Sequence, residues 1–104
     1  LKNPPTCIIY TDDYACIGGM GAIEEAGLSI PDDISVAGYD GIPMSEVVKP
    51  RLTTVRQDTE QIGKRTVRKL VALIEKPKTT GVESQCVPVV LEKGKSIKNL
   101  IENP

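Results

Sequence analysis

The stretch Ile34-Ser35-Val36-Ala37-Gly38-Tyr39-Asp40-Gly41 decides the fold. Its first half is a short apolar run with β-branched residues, and Ser35 is its only polar side chain. Pro31-Asp32-Asp33 precedes the run and Gly38 follows it, which is the pattern of a buried strand in a parallel sheet. The spacing predicts a strand over 34–37 that opens into a turn. In that turn Gly38 and Gly41 flank Tyr39-Asp40, so the backbone there is free to approach a ligand closely. Ligands of open α/β sheets bind beyond the carboxyl ends of the strands, and Asp40 stands at such an end. It is the candidate centre of a site; the competing reading is an Asp that supports only its own turn.

Working outward, 104 residues make one small domain at most, with a modest core. A hydrophobic share of 39% against 26% charged residues is ordinary for a globular protein. There are three Tyr and no Phe or Trp, so few rings are available to stack on bases. The net charge is −1 with the basic residues scattered, and no face for a phosphate backbone is apparent. The lack of histidine removes the usual general base and most zinc sites. No metal, cofactor or catalytic residue is implied. Cys7, Cys16 and Cys86 lie far apart in apolar settings and read as buried thiols of a reducing compartment, the cytoplasm. No apolar run reaches membrane-spanning length. The sequence opens without Met on a turn-rich segment and reads as part of a longer protein.

Residues 7–10 form a second apolar strand ending at Thr11-Asp12-Asp13, an acidic pair suited to capping the next helix. That helix is expected over 14–26, with Gly27 as its left-handed cap and Pro31 beyond. Cys16, Met20, Ile23 and Gly27 share one face. Gly18, Gly19 and Gly21 lie within the helix, so they are not a dinucleotide fingerprint, which belongs in the strand-to-helix turn. They imply close backbone approach, to the sheet at Gly19 and to another subunit at Gly21. After the central strand, residues 42–50 are irregular and leave Met44, Val47 and Val48 short of partners. Residues 52–57 read as a third strand. Asp58 and Gln61 are spaced as a capping box for a helix over 59–75. Its apolar stripe is Ile62, Val67, Leu70, Val71 and Ile74, and Lys64, Arg65, Arg68 and Lys69 form a solvated face. A loop over 76–81 leads to a last strand over 86–91, which Pro88 assigns to a sheet edge. The tail over 94–104 reads as polar and loose.

Thr11-Asp12-Asp13-Tyr14-Ala15-Cys16-Ile17-Gly18, Glu24-Glu25-Ala26-Gly27-Leu28, the run from Ile30 to Asp40, Pro50-Arg51-Leu52-Thr53-Thr54-Val55-Arg56-Gln57 and Gly63 together resemble the lactose/galactose-repressor family of bacterial transcription regulators. The likeness covers nearly the whole chain in order. It implies an α/β fold built of parallel-sheet βα units: the C-terminal subdomain, plus one crossover helix, of a periplasmic-binding-protein-like effector domain. The implied function is the effector-binding and dimerisation portion of a sugar-responsive repressor. The implied partners are a small-molecule effector, a second copy of the chain, and operator DNA reached only through an N-terminal helix-turn-helix that this sequence does not contain; no membrane is involved.

The resemblance also assigns residues. Asp40 matches the pocket carboxylate that accepts from sugar hydroxyls. Asp12 matches a second pocket position that is Asn in many members, and the change removes an N–H₂ donor. Gln57 matches a polar position at the hinge rim. Asp13 matches the second residue of the strand-end motif and reads first as a helix cap. Ile17, Gly21, Glu25, Met44, Val47 and Val48 match the dimerisation surface. A phosphoacceptor receiver would place two βα units between its acidic positions, where only one helix separates Asp13 from Asp40. A carboxylate-pair hydrolase lacks a nearby nucleophile. A periplasmic sugar carrier of the same fold is the alternative.

Overall fold

The computed structural model describes residues 2–101. The element order is β1 (Cys7–Ile9), α1 (Asp13–Glu25), β2 (Ser35–Ala37), α2 (Met44–Val47), β3 (Thr54–Gln57), α3 (Thr59–Glu75) and β4 (Val89–Glu92). The chain divides into two compact units. The first holds residues 1–56 and 90–104, and the second holds residues 57–89.

In the first unit β1 and β2 pair in parallel, with Cys7 opposite Ser35, Ile8 opposite Val36 and Ile9 opposite Ala37. The third strand's segment continues the same direction through parallel bridges from Ala37 to Thr53 and from Asp40 to Arg56. The central stretch thus has neighbours on both sides, which explains its apolar run. Val36 and Leu52 are buried with Cys16, Met20 and Ile23 of α1 and with Ile34, and Ile8, Tyr10, Ile30 and Val48 pack against them. The apolar face expected of α1 is the buried one, except that Gly27 lies beyond the helix and is exposed. Gly27 has φ +80, and its N–H donates to the Glu24 carbonyl while that of Leu28 donates to Ile23. This pair of bonds is the Schellman closure that a glycine favours. At Gly19 a β-carbon would run into the Tyr10 ring, so the close approach to the sheet is real; a β-carbon at Gly21 would meet nothing within 4 Å.

Several expectations are corrected. The strands are shorter than read: β2 begins at Ser35 and β3 at Thr54, and β4 starts only at Val89, with Pro88 in the loop before it. Of the three cysteines only Cys16 is buried, and Cys7 and Cys86 are exposed. Burial, with the Asp13 carboxylate and Cys7 adding to it, pushes the Cys16 thiol up to about 12. Val48 is not stranded, since it packs on the core.

The tail is the largest correction. Ser96 is fully buried, donates through Oγ to the Val36 carbonyl at 2.7 Å and accepts from the Thr53 N–H at 2.9 Å. Its own carbonyl accepts from the Val36 N–H, and Lys95 N–H donates to the Arg51 carbonyl. Lys98 N–H donates to Ser35 Oγ and Gly94 N–H to Thr53 Oγ1. The tail therefore fills the free edge of β2 before the third strand's segment takes over at Ala37. Residues 102–104 of that expectation lie outside the described residues. Ser96→Ala leaves the buried Thr53 amide without its acceptor, at a cost of about 1–3 kcal/mol. Chemical denaturation should show a lower midpoint with an unchanged slope.

In the second unit α3 runs over the expected residues, and Asp58 caps it by accepting from the Gln61 N–H at 3.0 Å. No residue of α3 is buried, and Ile62, Val67, Leu70, Val71 and Ile74 are all exposed. Lys64 is exposed and pairs with Glu60 one turn earlier, whereas Arg65 and Lys69 of the expected solvated face are half-buried and Lys69 pairs with Glu83.

Candidate functional site

Two parallel strands in register end side by side, so the segments that leave them also emerge together. Tyr10 N–H donates to the Ala37 carbonyl and Asp13 N–H to the Tyr39 carbonyl, which joins the segment after β1 to the one after β2. Asp12 and Asp40 are thereby carried at the carboxyl ends of adjacent strands. That is the location where α/β sheets bind ligands.

Asp12 is the N-cap of α1. Its backbone is extended, and its Oδ1 accepts from the Ala15 N–H at 2.8 Å. Asp40 has a backbone φ of +121, a region that side-chain-bearing residues seldom adopt. Its N–H donates to the Val55 carbonyl at 2.8 Å, and its parallel bridge to Arg56 continues the ladder past the end of β2. Gly41 follows at φ +75, and a β-carbon there would lie 2.7 Å from the Arg56 α-carbon. Glycine is required at 41 on both counts. Asp40 is half-buried. Gln57 is the last residue of β3 and the first of the second unit.

Asp13 corrects the reading of a helix cap, because Asp12 takes that part. The Asp13 side chain is fully buried and accepts from four donors. Its Oδ2 receives the Gly41 N–H at 2.9 Å, the Ile42 N–H at 3.0 Å and the Ser45 hydroxyl at 2.6 Å. Its Oδ1 receives the Thr54 hydroxyl at 2.6 Å. Burial pushes this carboxyl up, but the Ser45 and Thr54 hydroxyls and the Ile42 and Gly41 amides outweigh it and hold it below its usual value. Gly38 leaves the room, since a β-carbon at that position would collide with Asp13 Oδ1. Neighbouring aspartates thus do different work. Asp12 closes its own helix, whereas Asp13 ties α1 to the 41–42 turn, to α2 and to β3. Ser45 and Thr54 were not singled out from the sequence; the only hint was a second acidic residue where one cap suffices.

Around the outer face of α1, Ile17 is half-buried and Gly21 and Glu25 are exposed. Met44 and Val47 of α2 are exposed as well, at 50% and 70%. Within the second unit, Ile62, Leu70 and Leu73 of α3 line an open cavity of about 630 Å³ with Cys86 and Val87. Among the described residues no group of three or more acidic or thiol side chains is arranged to hold a metal ion. No helix among them is long and apolar enough to cross a membrane.

Parallel βα units with polar side chains at the strand ends define an α/β domain. The profile of the periplasmic binding protein-like domain matches residues 1–97, and the chain belongs to that family. It is 46% identical over 79 residues to the probable HTH-type transcriptional repressor ExuR of Bacillus subtilis, covering 76% of this chain and 24% of that protein. Among solved structures it superposes on a LacI family transcriptional regulator from Enterococcus faecium with bound ribose, at a TM-score of 0.85 and 35% identity, over 92% of this chain and 35% of that one. It also superposes on the lac repressor dimer bound to operator and the anti-inducer ONPF, at a TM-score of 0.78 and 38% identity, over 89% and 32% of the two chains. The chain spans about a quarter of the length of the curated relatives it matches. The resemblance to the lactose/galactose-repressor family is borne out, and the relatives on which it rests are repressors.

Proposed function

We propose that this chain is the effector-binding and dimerisation portion of a sugar-responsive transcriptional repressor of the cytoplasm. It does no chemistry on its ligand. The observation that carries the reading is the pair Asp12 and Asp40 at the ends of adjacent parallel strands, in a chain similar to a regulator solved with ribose. Asp40 is the principal acceptor. A carboxylate takes two hydroxyl protons, each a charge-assisted bond of about 1.5–3 kcal/mol. Asp12 is the second acceptor: its Oδ1 takes the Ala15 N–H of its helix, and its Oδ2, which lies 3.4 Å from the Thr11 hydroxyl, faces the ligand. Gln57 adds a donor and an acceptor at the rim. Asp13 belongs to the site as a support. DNA reading falls to a helix-turn-helix outside these 104 residues.

Isothermal titration of the complete regulator against a panel of pentoses, hexoses and disaccharides tests the site. Asp40→Asn keeps the shape and removes the charge, so the affinity for the sugar that binds should fall about 10- to 100-fold. Undiminished affinity in the variant sinks the assignment.

For the dimer, the supporting features are the exposed Met44 and Val47 of α2 and the exposed Gly21 and Glu25 of α1. Like surfaces meet about a two-fold axis, with Ile17 near it and Gly21 and Glu25 at its flank. Val48 acts from beneath, through the core. Sedimentation at micromolar concentration should give a dimer, and Ile17→Glu should shift it toward monomer. A monomeric parent chain would contradict the surface.

A further inference from the structure

We propose that Asp13 is a positioning residue for effector recognition, acting on the ligand through Asp40 by fixing the backbone of residues 40–42. The proposal rests on reading Asp40 as the effector carboxylate. Helix α1 does not need Asp13, because Asp12 already caps it. What Asp13 holds instead is the segment directly after Asp40. The two amides that follow Asp40, those of Gly41 and Ile42, converge on a single oxygen of Asp13. Asp40 itself sits at φ +121, and residues in such conformations persist only where their surroundings over-determine them. The constraints include the Asp40 N–H bond to Val55 on one side and the Asp13 carboxylate on the other. Ser45 and Thr54 hold that carboxylate from α2 and β3, and the bare α-carbon of Gly38 admits it. A ligand contact made by Asp40 is therefore only as well placed as Asp13 makes it.

The test compares Asp13→Asn, Asp40→Asn and the core variant Ile23→Val in the complete regulator. The amide oxygen stays within reach of the Oδ2 donors but, without the charge, holds the Gly41 and Ile42 amides more weakly, while its nitrogen turns toward Thr54, whose hydroxyl also accepts, so folding survives. The first readout is amide hydrogen exchange. In Asp13→Asn the Gly41 and Ile42 amides should exchange about tenfold faster or more, while those of Val36 and Gly38 keep their rates. Acceleration throughout β2, or none at all, overturns the proposal. The second readout is affinity for D-ribose. It should fall about tenfold or more in Asp13→Asn and stay unchanged in Ile23→Val, although both lower the melting temperature. Wild-type affinity in Asp13→Asn overturns the proposal and leaves the site intact, whereas wild-type affinity in Asp40→Asn removes the site reading itself. If ribose binds none of the proteins, the exchange pattern decides alone.

Discussion

Asp13→Ala is expected to leave the chain largely unfolded. The truncation strands two backbone amides and two hydroxyls inside the first unit. Each buried donor left unmatched costs about 1–3 kcal/mol. The two buried hydroxyls alone reach about 2–6 kcal/mol and the two half-buried amides add to that, against a typical total stability of about 5–15 kcal/mol. Circular dichroism should show a chain without a cooperative thermal transition. The same carboxylate sets an acid limit. Its folded value lies below the ordinary carboxylate value of about 4, so the unfolded chain binds the proton first as pH falls. The stability it contributes is complete above about pH 4 and drains away as pH drops toward the lower folded value. Urea midpoints should fall with acid in that window for the parent protein. In Asp13→Asn that component of the slope should be missing.

Gly41→Val is expected to cost about 2–5 kcal/mol. A left-handed conformation costs a side-chain-bearing residue about 1–2 kcal/mol, and forcing atoms into a filled space costs about 1–3 kcal/mol more. Both apply at this position, because φ is +75 and the new β-carbon would meet the backbone of Arg56. The neighbour cannot step aside, since the bridge between Asp40 and Arg56 fixes it. A fall in denaturation midpoint should therefore accompany loss of ligand affinity. Gly21→Ala offers the contrast: its β-carbon would meet nothing within 4 Å, and alanine favours a helix by about 1 kcal/mol over glycine. In a monomeric state that variant should be no less stable than the parent.

What the sequence disclosed follows from the range of the forces involved. Helix α3 was legible because its cap is local: Asp58 bonds the amide of Gln61, three residues on. The closure of α1 was legible for the same reason, as Gly27 acts on residues within one turn. The central strand was legible from its apolar run, although its pairing begins one residue later than the run does. The place of Asp40 followed from a strand end flanked by glycines. By contrast, Ser96 is sixty positions from Val36, and nothing near it in the chain announces that its hydroxyl will bridge Val36 and Thr53. The polarity of the tail described its composition and missed its partners. Asp12 and Asp13 illustrate the same divide. Either can cap a helix by local rules, and only Ser45 and Thr54, brought in by later parts of the chain, decide which one is buried. Cys7 and Cys86 sit in apolar sequence, but β1 and the segment before β4 leave them exposed.

The Asp40 carboxylate, at the end of the central strand, is proposed to receive the hydroxyls of a sugar. A crystal structure of the complete regulator with its sugar bound tests this most directly. Both Asp40 carboxylate oxygens should accept from sugar hydroxyls at about 2.5–3.0 Å, with Asp40 still in its left-handed conformation. A sugar bound elsewhere, with no hydroxyl in reach of Asp40, would contradict it.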